Sequence, residues 1–226
     1  MRACRDALTK LEEMAAETFG VSLSEIKSAD GVVAAPGNGD WPYAEVLESW
    51  FGARSGEVTG VGLVRAADEL ALLPPFWEVG TVGVTVSVDP DTGGVTIEHL
   101  ATVGDVGFAI NPALVEGQDL GAATQGLGAA LFEELIYSGG QLENPNLVEY
   151  RVPLATDMAK RIDTMIAERG DGIGPYGAKG AGEGTLNPIG GAVAAAVGRA
   201  IGRWPDRLPL TAERVWELMQ EDSETD

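Results

Sequence analysis

Between Gly177 and Gly190 the chain reads Gly-Ala-Lys-Gly-Ala-Gly-Glu-Gly-Thr-Leu-Asn-Pro-Ile-Gly, and a single carboxylate, Glu183, stands there between Gly182 and Gly184. A carboxylate in that position can take up a proton, and the small residues around it (Ala178, Gly180, Ala181, Gly182) allow the backbone to come close to a ligand. Asn187 and Pro188 follow in the order of an N-cap and a first helical residue. A helix N-terminus exposes unpaired amides to anions. The expectation is a backbone cradle for an anionic group, with Lys179 nearby and Glu183 aimed into it. A solvated surface loop would use the same residue types, so the rest of the chain has to decide.

A second candidate lies upstream. Asn111-Pro112 opens a long helical stretch within Asp105 to Tyr137 that carries Gly117, Gly121, Gly126 and Gly128. Each glycine inside a helix costs about 1 kcal/mol relative to alanine, so several together need a structural return, and close approach of a backbone or a flat cofactor supplies one. Gln125 places an amide on that stretch, with donors and an acceptor suited to a heterocycle or an oxo group. A tightly packed core helix is the other reading.

Composition removes several classes of function. The 226 residues carry a net charge of -20, which excludes a phosphate-backbone binder built on a Lys/Arg surplus. Cys4 is the only cysteine and His99 the only histidine, so this chain alone builds no disulfide framework, iron-sulfur cluster, Cys-rich zinc site or two-histidine metal site. Hydrophobic residues make up 45% of the chain, enough to bury a core. Gly190 to Ile201 is too short, and interrupted by Arg199, to span a membrane, and Met1 to Gly20 has charges where a secretory signal needs an apolar run. A cytoplasmic protein is expected.

The elements that would position these groups follow from periodicity. Arg2 to Thr18 has helical apolar spacing, Asp30 to Ala35 reads as a strand, and Tyr43 to Phe51 as a short helix with Trp41, Trp50 and Phe51 in the core. Its abrupt start suggests a larger architecture upstream. Glu57 to Val64, Gly80 to Val88 and Val95 to Val103 alternate as strands, the last two forming a hairpin about the turn Asp89 to Gly94. Pro74 to Trp77 is expected as a connecting loop. Ala212 to Gln220 should be a last helix docking Val215, Trp216 and Met219, with an acidic tail at 221–226. The fold class is α+β, an antiparallel sheet with flanking helices, forming one domain over 1–220.

Four stretches together resemble a known family. They are Val103-Gly-Asp-Val-Gly-Phe-Ala-Ile-Asn-Pro-Ala-Leu-Val-Glu-Gly-Gln118, the run Gln125-Gly-Leu-Gly to Leu135, Tyr150-Arg-Val-Pro153, and Gly177 to Gly184. In order and spacing they are similar to the closing part of the molybdopterin-binding large subunit of the xanthine dehydrogenase, aldehyde oxidase and aerobic carbon monoxide dehydrogenase family.

The resemblance implies a molybdenum hydroxylase whose metal is held by a pterin dithiolene, with no protein ligand from this chain. It implies the cytosine dinucleotide form of the cofactor. Glu183 matches the family's general base toward the molybdenum-bound hydroxyl, with oxygen from water and electrons leaving through the pterin. Gln125 and the segment Ala178, Lys179, Gly180, Ala181 and Gly182 match cofactor-contacting positions. A carboxylate base works best when exclusion of water lifts its pKa toward neutrality.

Departures accompany the match. The family's upstream Gly-rich loop with a Phe near the metal, a further glutamine and most of the substrate pocket are not in this sequence. Thr185 to Pro188 differs from the usual Gly-rich, double-proline continuation. The expectation is a split large subunit in which a second cofactor-binding chain supplies the other wall, and separate [2Fe-2S] and FAD subunits carry electrons away from a small-molecule substrate. A non-catalytic assembly subunit and a reductive, dehydroxylating member are the alternatives.

Overall fold

The computed structural model describes residues 1–52, 54, 56–63 and 77–220. The chain forms two compact units, Met1–Leu72 and Leu73–Asp226. Pro74 to Phe76 and the acidic end at 221–226 lie outside the described residues. Among the described residues no helix is long and apolar enough to cross a membrane.

In the first unit, α1 (Arg2–Phe19) turns Leu11, Ala15 and Ala16 inward and stops at Gly20, which is left-handed at φ 64° and donates its N–H to the last turn. β1 (Lys27–Ala29), β2 (Val32–Ala35) and β3 (Gly39–Pro42) form an antiparallel meander. α2 (Tyr43–Phe51) follows, and its Val46 packs with Leu11, Ala15 and Val33. Trp41 is half-buried against Phe19 at 4.9 Å between ring centres. Trp50 and Phe51, expected in the core, are 40% and 47% exposed, because the buried face of this short helix is centred on Val46 and the core ends before its last turn.

The strand expected from Glu57 does not form: 57–63 is irregular, and Val64 lies outside the described residues. Its alternation has another cause. Gly60 and Gly62 lie so close to α1 that a Cβ on either would sit 1.9 and 2.4 Å from backbone atoms of Ala3. The segment's backbone is satisfied by side chains of α1: Val61 N–H donates to Asp6, and Lys10 donates to the Thr59 carbonyl. A chain laid along a helix takes its small residues from that contact, not from a sheet.

The second unit begins with β4 (Val79–Val88) and β5 (Val95–Asp105), an antiparallel hairpin running from Val79 opposite Asp105 to Val88 opposite Val95. Asp89 closes its turn by accepting the N–H groups of Asp91 and Thr92. The sheet is not wholly antiparallel. β8 (Ile162–Ala167), unassigned from sequence, pairs with β5 in parallel from Leu100 opposite Ile162 to Asp105 opposite Ala167. A parallel return needs a crossover, and α3 (Pro112–Leu131) is part of that connection.

Asn111 caps α3 as expected, its side chain accepting from Leu114 N–H at 3.2 Å. The helix ends at Leu131, short of Tyr137, where β6 (Tyr137–Ser138) and β7 (Gln141–Leu142) make a small hairpin. The Tyr150 hydroxyl donates to Glu133 at 2.7 Å and the Arg151 guanidinium lies 4.3 Å over the Phe132 ring, so this motif ties the loop to the end of α3. α4 (Asn187–Ile201) and α5 (Ala212–Gln220) complete the unit. Leu100, Leu127, Ile189, Val193, Val197 and Val215 are fully buried between sheet and helices. Val215 docks α5 as expected, whereas Trp216 is 42% exposed, being on the outer side of a nine-residue helix that buries only Val215.

The chain between β8 and α4 is tied back to the end of β5. Gly170 N–H donates to the Gly107 carbonyl at 2.7 Å and Lys179 N–H to that of Val106 at 2.9 Å. Gly107 is left-handed at φ 68°, and a Cβ there would lie 2.1 Å from the Gly177 carbonyl oxygen, so the contact requires glycine. The Lys179 ammonium bridges Asp105 at 3.0 Å and Asp171 at 2.7 Å, with its side chain only 5% exposed. Bonds from Asp171 and then Asp105 hold the Lys179 pKa above the usual lysine range, and the Lys179 bond holds Asp171 below the usual carboxylate range.

Leu127→Ala should lower unfolding free energy by about 2–5 kcal/mol in denaturant titrations, whereas the same change at Val148, 92% exposed, should stay within about 0.5 kcal/mol. The stability difference between wild type and Lys179→Met should be flat at intermediate pH. In acid it should shrink as pH falls through the depressed pKa of Asp171, below the ordinary carboxylate range; in alkali it should persist until pH passes the raised pKa of Lys179, above the ordinary lysine range. Thermal unfolding across pH reads both limbs.

Candidate functional site

Glu183 stands on a tight turn seated directly on the sheet. Gly80 and Gly104 face each other across β4 and β5, and the missing side chains leave room for the turn. A Cβ on Gly80 would lie 2.1 Å from the Gly184 carbonyl oxygen, and one on Gly104 would lie 3.2 Å from the Thr185 methyl group. Both flanks of Glu183 are pinned. Gly182 N–H donates to Glu78 at 3.3 Å, and the buried Thr185 hydroxyl donates to Asp119 at 3.0 Å. Leu186 N–H returns to the Glu183 carbonyl at 3.1 Å.

Asp119, on α3, is buried, and its second carboxylate oxygen has no hydrogen-bond partner. Burial pushes its carboxyl up from the usual range, against the lowering effect of the Thr185 bond. Glu183 is different. Its side chain is exposed on this chain and makes no ion pair among the described residues. Lys179, four residues upstream, is turned away into its pair with Asp105 and Asp171. Glu183 therefore offers both oxygens to whatever covers this face, with no cation competing for them.

The helix start differs from the expected one. Leu186 occupies the cap position in helical conformation, Asn187 is already helical, and no side chain caps α4. The turn 183–186 runs straight into the helix, so the N–H groups of Leu186 and Ile189 are used by the Glu183 and Leu186 carbonyls. The open donors lie earlier: among the described residues the N–H groups of Gly180, Ala181 and Glu183 carry no hydrogen bond, and all three residues are exposed. Ala178 is half-buried and its N–H is bonded to Pro175.

Gln125 is exposed on α3. Gln118 lies two helical turns earlier on the same face, about 10 Å along the axis, and its side-chain oxygen would be 3.8 Å from a Cβ on Gly182. Leu114, Gln118, Gly121 and Gln125 make an exposed strip, and a Cβ on Gly121 would meet nothing within 4 Å. At Gly126 the glycine serves packing instead, where a Cβ would approach the Ile189 side chain to 2.6 Å. Sequence reasoning passed over Gln118, Asp119 and Glu78. The signal for Asp119 was an acidic residue on the apolar side of a helix. Glu78 had none, since its role depends on a contact 104 residues away.

Beside the turn runs a groove of about 320 Å³ lined by Val106, Phe108, Ile110, Leu114, Gln118 and Ala181 among others. Its walls are largely apolar, with Gln118 and Ala181, whose N–H is open, both on the lining. This set suits a flat heterocycle with polar edges. Among the described residues that line it, the one cation, Lys179, is already paired, so they present no free positive charge to a phosphate.

The fold recurs in known proteins. The model of the molybdopterin cofactor-binding domain family matches residues 1–159. The 6-hydroxypseudooxynicotine dehydrogenase complex subunit gamma of Paenarthrobacter nicotinovorans is 39% identical over 145 residues, 62% of this chain and 18% of that protein. The nicotine 6-hydroxylase large subunit of the same organism is 30% identical over 210 residues, 91% of this chain and 24% of that protein. Among solved structures, quinoline 2-oxidoreductase from Pseudomonas putida 86 superposes with a TM-score of 0.75 at 27% identity, over 97% of this chain and 29% of that one. The Cu,Mo-CO dehydrogenase shares the fold with a TM-score of 0.78 at 22% identity. The chain thus spans 18% to 29% of the length of these relatives. It belongs to the molybdopterin cofactor-binding domain family, with relatives among the molybdenum-binding subunits of xanthine dehydrogenases and among aldehyde oxidases.

Proposed function

We propose that this chain forms one wall of the active site of a molybdenum hydroxylase and contributes its general base, Glu183. The observation that carries the reading is the exposed, ion-pair-free carboxylate of Glu183 on a turn pinned at both flanks beside an apolar, amide-edged groove. The residues fit a pterin-type cofactor: Gly180, Ala181 and Gly182 would lie along it by their backbone, Gln118 and Gln125 would offer amides along the exposed face of α3, and Lys179 would hold that backbone in place from behind. Because the described residues lining the groove present no free cation, the phosphates of a cytosine dinucleotide form would be held by a partner chain. When bound, the molybdenum cofactor would supply oxygen transfer and a sink for the substrate's electrons.

Glu183 would accept the hydroxyl proton as a water-derived oxygen bonds to an electron-poor carbon of a heterocycle or aldehyde, while the C–H bond at that carbon breaks and its hydrogen leaves with the electron pair, as hydride, toward the cofactor. A second cofactor-binding chain covering this face would exclude water from the carboxylate and make it a better proton acceptor. Separate [2Fe-2S] and FAD subunits would take up the electrons, since this chain with its one cysteine cannot ligate an iron-sulfur cluster by itself.

The test is Glu183→Gln in the complex purified with its partner chains. Turnover should fall by about 10²- to 10⁴-fold while molybdenum per complex, measured by elemental analysis, stays at the wild-type level. Wild-type turnover in that variant would exclude Glu183 as the base.

A further inference from the structure

A side-chain bond links α3 to the turn that carries the proposed base. Thr185 is 1% exposed and Asp119 4% exposed, and the Thr185 hydroxyl donates to Asp119 at 3.0 Å. Neither side chain lines the groove beside the turn. Each is, however, next to groups that do face it: Thr185 is two residues after Glu183, and Asp119 follows Gln118 directly. The space they share exists because position 104 has no side chain. A Cβ there would come within 3.2 Å of the Thr185 methyl group and 3.4 Å of the Asp119 carboxylate.

We infer that Asp119 and Thr185 are positioning residues, a buried latch that registers the Glu183 turn against the Gln118 face of α3. The inference rests on Glu183 being the base, and the two can fail separately. Three observations support a latch over a mere packing contact. The hydroxyl–carboxylate bond is the one side-chain link between the turn and α3 among the described residues. The bond on the other flank, Gly182 N–H to Glu78, is longer at 3.3 Å and holds the turn by its backbone, not to α3. Asp119 keeps one carboxylate oxygen buried and unbonded, a costly arrangement that an apolar pair of the same shape would avoid.

The experiment compares Thr185→Val, which keeps the shape and removes the donor, with Thr185→Ser, which keeps the donor, in the purified complex. Amide hydrogen exchange within 180–187, read at the bonded amides of Gly182 and Leu186, should accelerate about tenfold or more in Thr185→Val while strand 95–103 is unchanged. Turnover should fall about 10- to 100-fold, the scale set by displacing a reacting group by an ångström or less, with KM and molybdenum content near wild type. Thr185→Ser should restore both exchange and turnover to within about threefold. Unchanged exchange at 180–187, an equal loss in Thr185→Ser, faster exchange throughout the sheet, or unchanged turnover in Thr185→Val would each overturn the latch. Exchange needs no turnover, so it judges the latch even if Glu183→Gln remains active, an outcome that sinks only the base assignment.

Discussion

The packing of a turn directly onto a sheet, with no side chain between them, is the constraint on which this site depends. Gly80 and Gly104 are cross-strand partners, and at that point the surface of β4 and β5 is bare backbone. The Gly184 carbonyl comes so near Gly80 that even a methyl group would overlap it. Any side chain there would lift the turn and carry Glu183 with it. The glycines in β4 and β5 thus act on the turn as directly as the glycines beside Glu183, although they are far from it in sequence.

Charge is arranged to serve the same end. In a chain of net charge -20, Glu183 is surrounded by further acids, Glu78 and Asp119, yet neither is left to repel it freely. Glu78 is bonded to the Gly182 amide and Asp119 to the Thr185 hydroxyl. The one nearby ammonium, Lys179, is consumed by Asp105 and Asp171 and holds the backbone down from behind. Had Lys179 faced the turn, it would have paired with Glu183 and weakened it as a proton acceptor. The buried ion pairs therefore keep a cation out of the site while using it to fix the loop.

Much of the architecture could be read from residue patterns. The helix at Arg2, the hairpin about Asp89 to Gly94, the cap at Asn111 and the last helix all follow from local preferences that the fold did not override. The misreadings share a cause. Glu57 to Val64 alternates like a strand because glycines are needed where it lies against α1, and a periodicity of two does not say what it packs on. Ile162 to Ala167 alternates β-branched residues at 162, 164 and 166, but six residues of that pattern do not show their partner, and the pairing with β5 is parallel and non-local. Asn187-Pro188 has the composition of a helix start, but the turn before it had already begun to coil, so the side chain was not needed as a cap.

What the sequence alone determined is the chemistry on offer: one carboxylate among glycines, no metal ligand set, no surplus of positive charge, and a set of motifs in family order. Those are properties of residue type and spacing, which survive in one dimension. Which way Lys179 points, which glutamine lies beside Gly182, and that Thr185 and Asp119 meet under the turn were decided only in the tertiary structure. Each joins residues tens of positions apart. Local propensities carry no record of such distances; the shape of the sheet and the length of α3 set them.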